Sequence, residues 1–368
     1  MKPGAAAALL WAGALLAGPA CAQPRPLLGA ATAERFDVPQ YLAAGPTAWA
    51  PAEAASISAA PADFVVDAQG GGTHRSVQAA VDAVPARGAE TTPRRWVVAI
   101  RPGTYREPLC VRDKAPLLLR GDAADASAVR IVEGRFNALP KALGTPAHPC
   151  VPALDATTHG TSGSTSVAVF SDDVQLAHLR IDNDATAPSQ AVALTTAGDR
   201  IQLEGVQLWS FQDTFYARRR EAANPAAAAR VFVRASLIAG DVDFVFGNAT
   251  LVVTHSTLLS RRRPVPREGG SGIVLAPSTL PSTEYGFLIT HSRFVAEPGI
   301  GPGSVALGRA WDQGVAPGTW LAGTSPNGQA LVRHSELGAH IGPWVASTSR
   351  RAFGPANRLA EFDNRPAP

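Results

Sequence analysis

The chain has 368 residues, 46% hydrophobic and 17% charged, enough to build a sizeable core as one elongated domain. A formal net charge of +3 is too weak and too scattered to point to a nucleic-acid partner, and 34 glycines with 31 prolines favour a turn-rich architecture.

Residues 1–22 read as a secretory signal peptide: Lys2, an apolar run over 5–17, a Gly18-Pro19 break and an Ala20-Cys21-Ala22 cleavage pattern. The run is shorter than the ~20 residues a membrane helix needs, and no second run is long enough to span. The expected location is the periplasm or the exterior. Cys21 also permits a lipid anchor, although Gly18 stands where a lipoprotein signal carries Leu. Cys110 and Cys150 then remain, to be joined as one disulfide or buried as two thiols.

Residues 23–62, rich in Ala and Pro, predict an extended arm packed on the domain that follows, residues 63–350. Val77, Ala80, Val81 and Val84 have helical spacing, so a short helix over 76–84 is expected to close the N-terminal end, with Thr73 as its cap. Short β-rich runs follow at 96–100, 167–170, 191–194, 251–253 and 287–289. The stretch 134–166 reads as a polar surface insertion, and 351–368 as a loose C-terminal tail.

One six-residue pattern recurs without gaps. It is Leu176-Ala-His-Leu-Arg-Ile181, then Leu203-Glu-Gly-Val-Gln-Leu208, Val233-Arg-Ala-Ser-Leu-Ile238, Val253-Thr-His-Ser-Thr-Leu258, Ile289-Thr-His-Ser-Arg-Phe294 and Val332-Arg-His-Ser-Glu-Leu337. Successive starts lie 27, 30, 20, 36 and 43 residues apart. A fixed short core with variable spacing is what a solenoid with loop insertions gives. The expected fold is all-β: a single-domain right-handed parallel β-helix with a short N-terminal capping helix, rather than a sandwich. His178, His255, His291 and His334 share the third slot, and a stacked structural ladder accounts for them better than a metal site.

Asp213 and Asp243 each lie ten residues after a repeat start, Leu203 and Val233. Stacking the repeats stacks the carboxylates, with strands about 4.8 Å apart. At an effective dielectric of about 20 their repulsion is about 3 kcal/mol, so one tends to hold its proton and the other its charge. That is an acid beside a nucleophile or base. Turn-capping aspartates are the bland alternative.

Five segments stand out in order: Gly103-Thr-Tyr-Arg-Glu107, Gln190-Ala-Val-Ala-Leu194, Gln212-Asp-Thr-Phe-Tyr216, Asp243-Phe-Val-Phe-Gly247 and Leu307-Gly-Arg-Ala-Trp311. With them the chain resembles the pectin methylesterase family over residues 63–340, closest in character to its bacterial envelope branch. The resemblance implies a carboxylic ester hydrolase that removes methyl esters from pectin, with no metal or cofactor. It implies Asp243 as nucleophile, Asp213 as acid and then base, Gln190 and Gln212 as oxyanion donors, Arg309 as partner of the nucleophile and Trp311 at the sugar site. Ala310 departs from the family's usual Pro, and the 218–230 loop is long, which would favour chain ends or short oligomers.

Phe215, Tyr216 and Phe244 fit either a sugar-binding wall or the core. Arg263, in the run 261–263, fits either a galacturonan carboxylate or a solvated cluster. Tyr105 and Glu107 are expected to be structural. The partners expected are pectin or an oligogalacturonide, acted on by a monomer. Alternatives are an esterase for short methylated oligogalacturonides or another envelope ester, and a non-catalytic carbohydrate-binding β-helix. The paired carboxylates argue against the last, and no Gly-x-Ser-x-Gly elbow supports a serine esterase.

Overall fold

The computed structural model describes residues 25–89, 94–141, 147–152, 156–220, 227–263 and 272–367. The signal-peptide reading of 1–22, Cys21 included, lies outside them. Three parallel sheets of ten, eight and nine strands run the length of the molecule, and successive strands of each sheet belong to successive coils. The architecture is the right-handed parallel β-helix, with the hand that parallel crossovers favour.

The register reproduces the sequence repeat position for position. Leu176 pairs with Leu203, Leu203 with Val233, Val233 with Val253, Val253 with Ile289 and Ile289 with Val332. These six side chains stack inside the coil as part of one continuous apolar core, each contributing roughly 1.5–3 kcal/mol of burial.

The third slot is a bend. His178, Ala235, His255, His291 and His334 have φ between 46° and 50°, and Gly205 has φ 61°. A left-handed residue there turns the strand of the ten-stranded sheet into that of the nine-stranded sheet. The fourth slot then satisfies the backbone. Ser236, Ser256, Ser292 and Ser335 each accept, at 3.0–3.2 Å, an N–H from the coil before. His255, His291 and His334 stack with centroids 5.2 and 5.3 Å apart. His178 stands apart from that ladder. It lies against Gly205, where an added Cβ would meet its ring at 2.9 Å, and its Nε2 is 3.1 Å from Ser58 Oγ.

The closing helix spans Val77–Ala83. Its cap is Ser76, which accepts from Ala79 N–H, and not Thr73, whose hydroxyl is bonded to Val65 and His74. Glu107 accepts from the Val77 and Gln78 N–H groups, two donors a helix start leaves orphaned. Tyr105 is buried and donates to Arg101 O. Both are structural, as expected.

Two terminal expectations change. The arm packs on the ten-stranded sheet, but it holds three short helices, Ala30–Ala33, Val38–Ala43 and Ala54–Ala59. Tyr41 and Leu42 cover Phe232, Val252, Leu288 and Leu331, while Ile57 covers Val97 and Leu118. The tail is not loose. Arg358–Phe362 pairs with Gln329–Arg333 as a further strand, and Asn364 continues the serine ladder by accepting from Ser335 N–H.

The arm runs against the order of coils. Leu28 N–H donates to Glu361 O in the last coil. Arg333 and Arg230 donate to the arm carbonyls of Ala33 and Leu42. Ala52 N–H donates to Gln202, and Asp63 N–H to Val97 O in an early coil. Cys110 and Cys150 form a disulfide, with Cα atoms 5.3 Å apart, that pins the 134–166 stretch.

Candidate active site

The five residues expected to act lie at four levels of the eight-stranded sheet, with the strand Gly272–Pro277 between the level of Asp243 and that of Arg309. Gln190 precedes the strand Leu194–Thr196, and Gln212 and Asp213 precede Phe215–Ala217. Asp243 lies within Val242–Gly247, and Arg309 follows Val305–Gly308. Gln190, Gln212, Asp213, Asp243, Arg309 and Trp311 line one cleft of about 230 Å³ with Phe246, Ala276 and Thr348.

Asp213 and Asp243 occupy equivalent places. Phe215 pairs with Val245, the same thirty-residue offset that separates the two aspartates. Asp213 N–H donates to Val242 O at 3.0 Å. Both residues are left-handed, φ 67° and 48°, a conformation that Asp tolerates better than most side chains. The register shifts between Val242 and Val245, so Asp243 sits at an irregularity that takes it out of the alternation of the strand. Gly240 allows the approach: a Cβ there would lie 2.3 Å from Phe244 Cβ and 2.7 Å from Phe211 O.

The two carboxylates differ in their surroundings. Arg309 donates Nε–H to Asp243 Oδ1 at 3.0 Å and Nη2–H to Oδ2 at 2.5 Å. This bidentate pairing fixes the plane of the carboxylate and favours its anion. Asp213 is buried, and burial holds its carboxyl well above the usual carboxylate range. Repulsion from Asp243 adds to this, Arg309 and a hydrogen bond with Gln212 oppose it, and Asp241 raises it further.

Three substrate-side expectations need correction. Phe215 and Phe244 are fully buried in the central core and do not face the cleft. Phe244 turns inward because of the register shift, whereas Phe215 follows ordinary alternation with Tyr216. Arg263 is neither solvated nor in the cleft. It is buried, with Nε and Nη2 on Asp241 at 2.6 and 3.0 Å and Nη1 on Ala187 O at 3.0 Å. Arg261 instead stacks on Phe211 and pairs with Glu297.

Tyr216 and Trp311 do come together, through a residue the sequence reading passed over. Phe246 stacks on Tyr216 at 4.3 Å and meets Trp311 at 5.6 Å. Its signal was the register, since Phe246 pairs with Tyr216. Thr348 has no such signal; it reaches the cleft from beyond the last repeat, and its hydroxyl accepts from Asp312 N–H. The 134–166 stretch is more than a surface insertion, because Asn137 N–H donates to Gln190 O at 2.8 Å. In the 218–230 loop, Arg218 lies over Tyr216 and Arg230 is buried against Asp199; residues 221–226 are outside the described set. Ala310 is buried, and its carbonyl accepts from Thr348 N–H, so the loop is held without the usual Pro.

Fold and cleft together define a parallel β-helix esterase. The pectinesterase family model matches residues 63–314. Pectinesterase B of Dickeya dadantii (strain 3937) is 34% identical over 345 residues, covering 83% of this chain and 77% of its own. The structure of rice weevil pectin methyl esterase superposes with a TM-score of 0.78 at 29% identity, over 92% of this chain and 96% of that one. A putative acyl-CoA thioester hydrolase of Escherichia coli (strain K12), YbhC, is 32% identical over 319 residues, 78% of this chain and 72% of its own. The crystal structure of E. coli YbhC gives a TM-score of 0.79 at 27% identity, over 93% and 95%. The chain belongs to the pectinesterase family.

Proposed function

We propose that the protein hydrolyses the methyl esters of pectin by acyl transfer through Asp243. One observation carries the assignment of roles. Two carboxylates share a cleft, one clamped by Arg309 and the other pushed well above the usual carboxylate range, chiefly by burial. Asp243 attacks the ester carbonyl, and the side-chain amides of Gln190 and Gln212 donate to the developing oxyanion. The C–O bond to the methoxy group breaks as Asp213 gives up its proton, so methanol leaves neutral. Asp213, now a carboxylate, takes a proton from water as that water attacks the anhydride formed with Asp243. Asp243 is released as a carboxylate and Asp213 is again protonated. Trp311, with Tyr216 and Phe246 behind it, offers an aromatic wall for a sugar ring.

The Cys110–Cys150 disulfide supports export to an oxidising compartment, periplasmic or external, which the N-terminal segment also favours. Action as a monomer is part of the proposal. Measuring methanol release from highly methylated pectin and from short methylated oligogalacturonides tests the reading, with Asp243→Asn as control. Release lost in the variant supports it, and folded wild-type protein that releases none from either sinks it. The tight cleft and the thioester named for the E. coli relative make acyl-CoA a worthwhile third substrate, since the same carboxylate pair would serve a thioester.

A further inference from the structure

We propose that Asp241 and Arg263 are positioning residues for this reaction, clamping the strand of the nucleophile to the loop that carries the first oxyanion amide. The inference rests on the roles assigned above to Asp243, Asp213 and Gln190. Its geometry is independent of them.

Asp241 lies two residues before Asp243, and Arg263 joins it by two hydrogen bonds at 2.6 and 3.0 Å. Both side chains are about nine-tenths buried or more, 10% and 4% exposed. Asp241 Oδ1 also accepts from Val242 N–H at 2.8 Å, and Asp241 N–H donates to Phe211 O at 3.1 Å, just before Gln212 and Asp213. The third arm of the guanidinium, Nη1, donates to Ala187 O at 3.0 Å, three residues before Gln190. Arg263 thus ties together the segments of Gln190, of Gln212 with Asp213, and of Asp243, without touching the cleft. A planar fork makes these bonds at once; an ammonium cannot. Burying such a pair adds little stability by itself, so its worth lies in geometry.

The pair also fixes a charge. Asp213 is faced by Asp243, Arg309, Gln212, Tyr216 and Asp241. Asp241 disfavours the Asp213 anion, and Arg263 neutralises Asp241 at contact distance. Removing Arg263 leaves the Asp241 carboxylate without its counter-ion, bonded only by Val242 N–H. Removing the charge of Asp241 leaves a bare guanidinium. The two changes move Asp213 in opposite directions.

The experiment is the pH dependence of methanol release in wild type, Arg263→Gln, Arg263→Lys, Asp241→Asn and the double variant Arg263→Gln/Asp241→Asn, with thermal melting alongside. In Arg263→Gln we expect kcat to fall on the order of 10- to 100-fold with KM little changed, and the alkaline limb of the profile to move up. In Asp241→Asn the limb moves down, and in the double variant it returns toward wild type. Should Arg263→Gln fail to fold, Arg263→Lys serves: charge kept and fork lost, it lowers kcat while the limb stays. A raised KM at unchanged kcat would make Arg263 a substrate contact. Limbs that never move, with activity lost only in step with melting temperature, would make the pair merely structural. Either result overturns the proposal. Failure of the underlying reading shows separately, as methanol release that survives Asp243→Asn.

Discussion

Arg309 grips Asp243 with two parallel hydrogen bonds, at 3.0 and 2.5 Å, from a strand two coils further along the stack. The guanidinium fork aligns both oxygens, so one face of the carboxylate is left for attack on a carbonyl. Arg309→Lys keeps the charge and loses one of the two bonds. A bond to a charged partner is worth about 1.5–3 kcal/mol, so kcat for methanol release is expected to fall on the order of 10- to 100-fold. Steady-state kinetics checks this; an unchanged kcat would remove Arg309 from the mechanism.

Asp213 sets a stability–activity opposition. Its carboxyl is raised in the folded state, so folded protein holds the proton where unfolded chain has lost it. Its contribution to stability is therefore full below the ordinary carboxylate range and declines as pH rises through the folded value. Asp213→Asn removes that decline. The variant is expected to melt higher than wild type at neutral pH, with the gap closing on acidification, and to lose roughly 10²- to 10⁴-fold in kcat. Melting curves at pH 3 and 7 decide the first point, and a gap independent of pH would refute it.

The two glutamines are separable. Each is proposed to supply one donor, and removing an oxyanion donor costs about 10²–10³ in kcat. Gln212 also bonds Asp213 and opposes the rise of its carboxyl, whereas Gln190 is 3.4 Å from the Ser189 hydroxyl. Gln212→Ala is expected to move the alkaline limb of the pH profile upward, and Gln190→Ala to lower kcat with the limb in place. Identical profiles would mean that the amides act alike.

Phe244 and Trp311 belong to different regions despite neighbouring the same cleft residues. Phe244→Ala empties a fully buried site and should cost about 3–5 kcal/mol of stability. Trp311→Ala, at a partly exposed position, should raise KM with little change in denaturant midpoint. Urea titrations with parallel kinetics separate the two, and a destabilised Trp311→Ala would return Trp311 to packing.

The parts of the fold that the sequence made readable are those where one residue type has one job. Leu203 and Val233 face the core, Ser256 and Ser292 each satisfy an N–H of the coil before, and the bend between tolerates His, Ala or Gly; six aligned segments therefore gave the register directly. The final coil escaped because Glu361 replaces the apolar first residue and Asn364 the serine, both suited to a stack end where the arm docks. The carboxylate pair was legible from spacing. Phe244 was not, since a local register shift overrides alternation, and Arg263 was not, since its partners Asp241 and Ala187 lie 22 and 76 residues away.

The course of the arm has a consequence for how the molecule is born. The first described segment to leave a ribosome has its outer end bound to the coil that is made last, at Glu361. Coils can stack one upon another as they emerge, because each needs only its neighbour. The outer end of the strap, at Leu28, cannot close until the final strand exists. Completion is thereby read out at Leu28: a chain cut short before Glu361 would leave the Leu28 N–H without its partner, while Tyr41 and Leu42 would still cover Phe232, Val252 and Leu288.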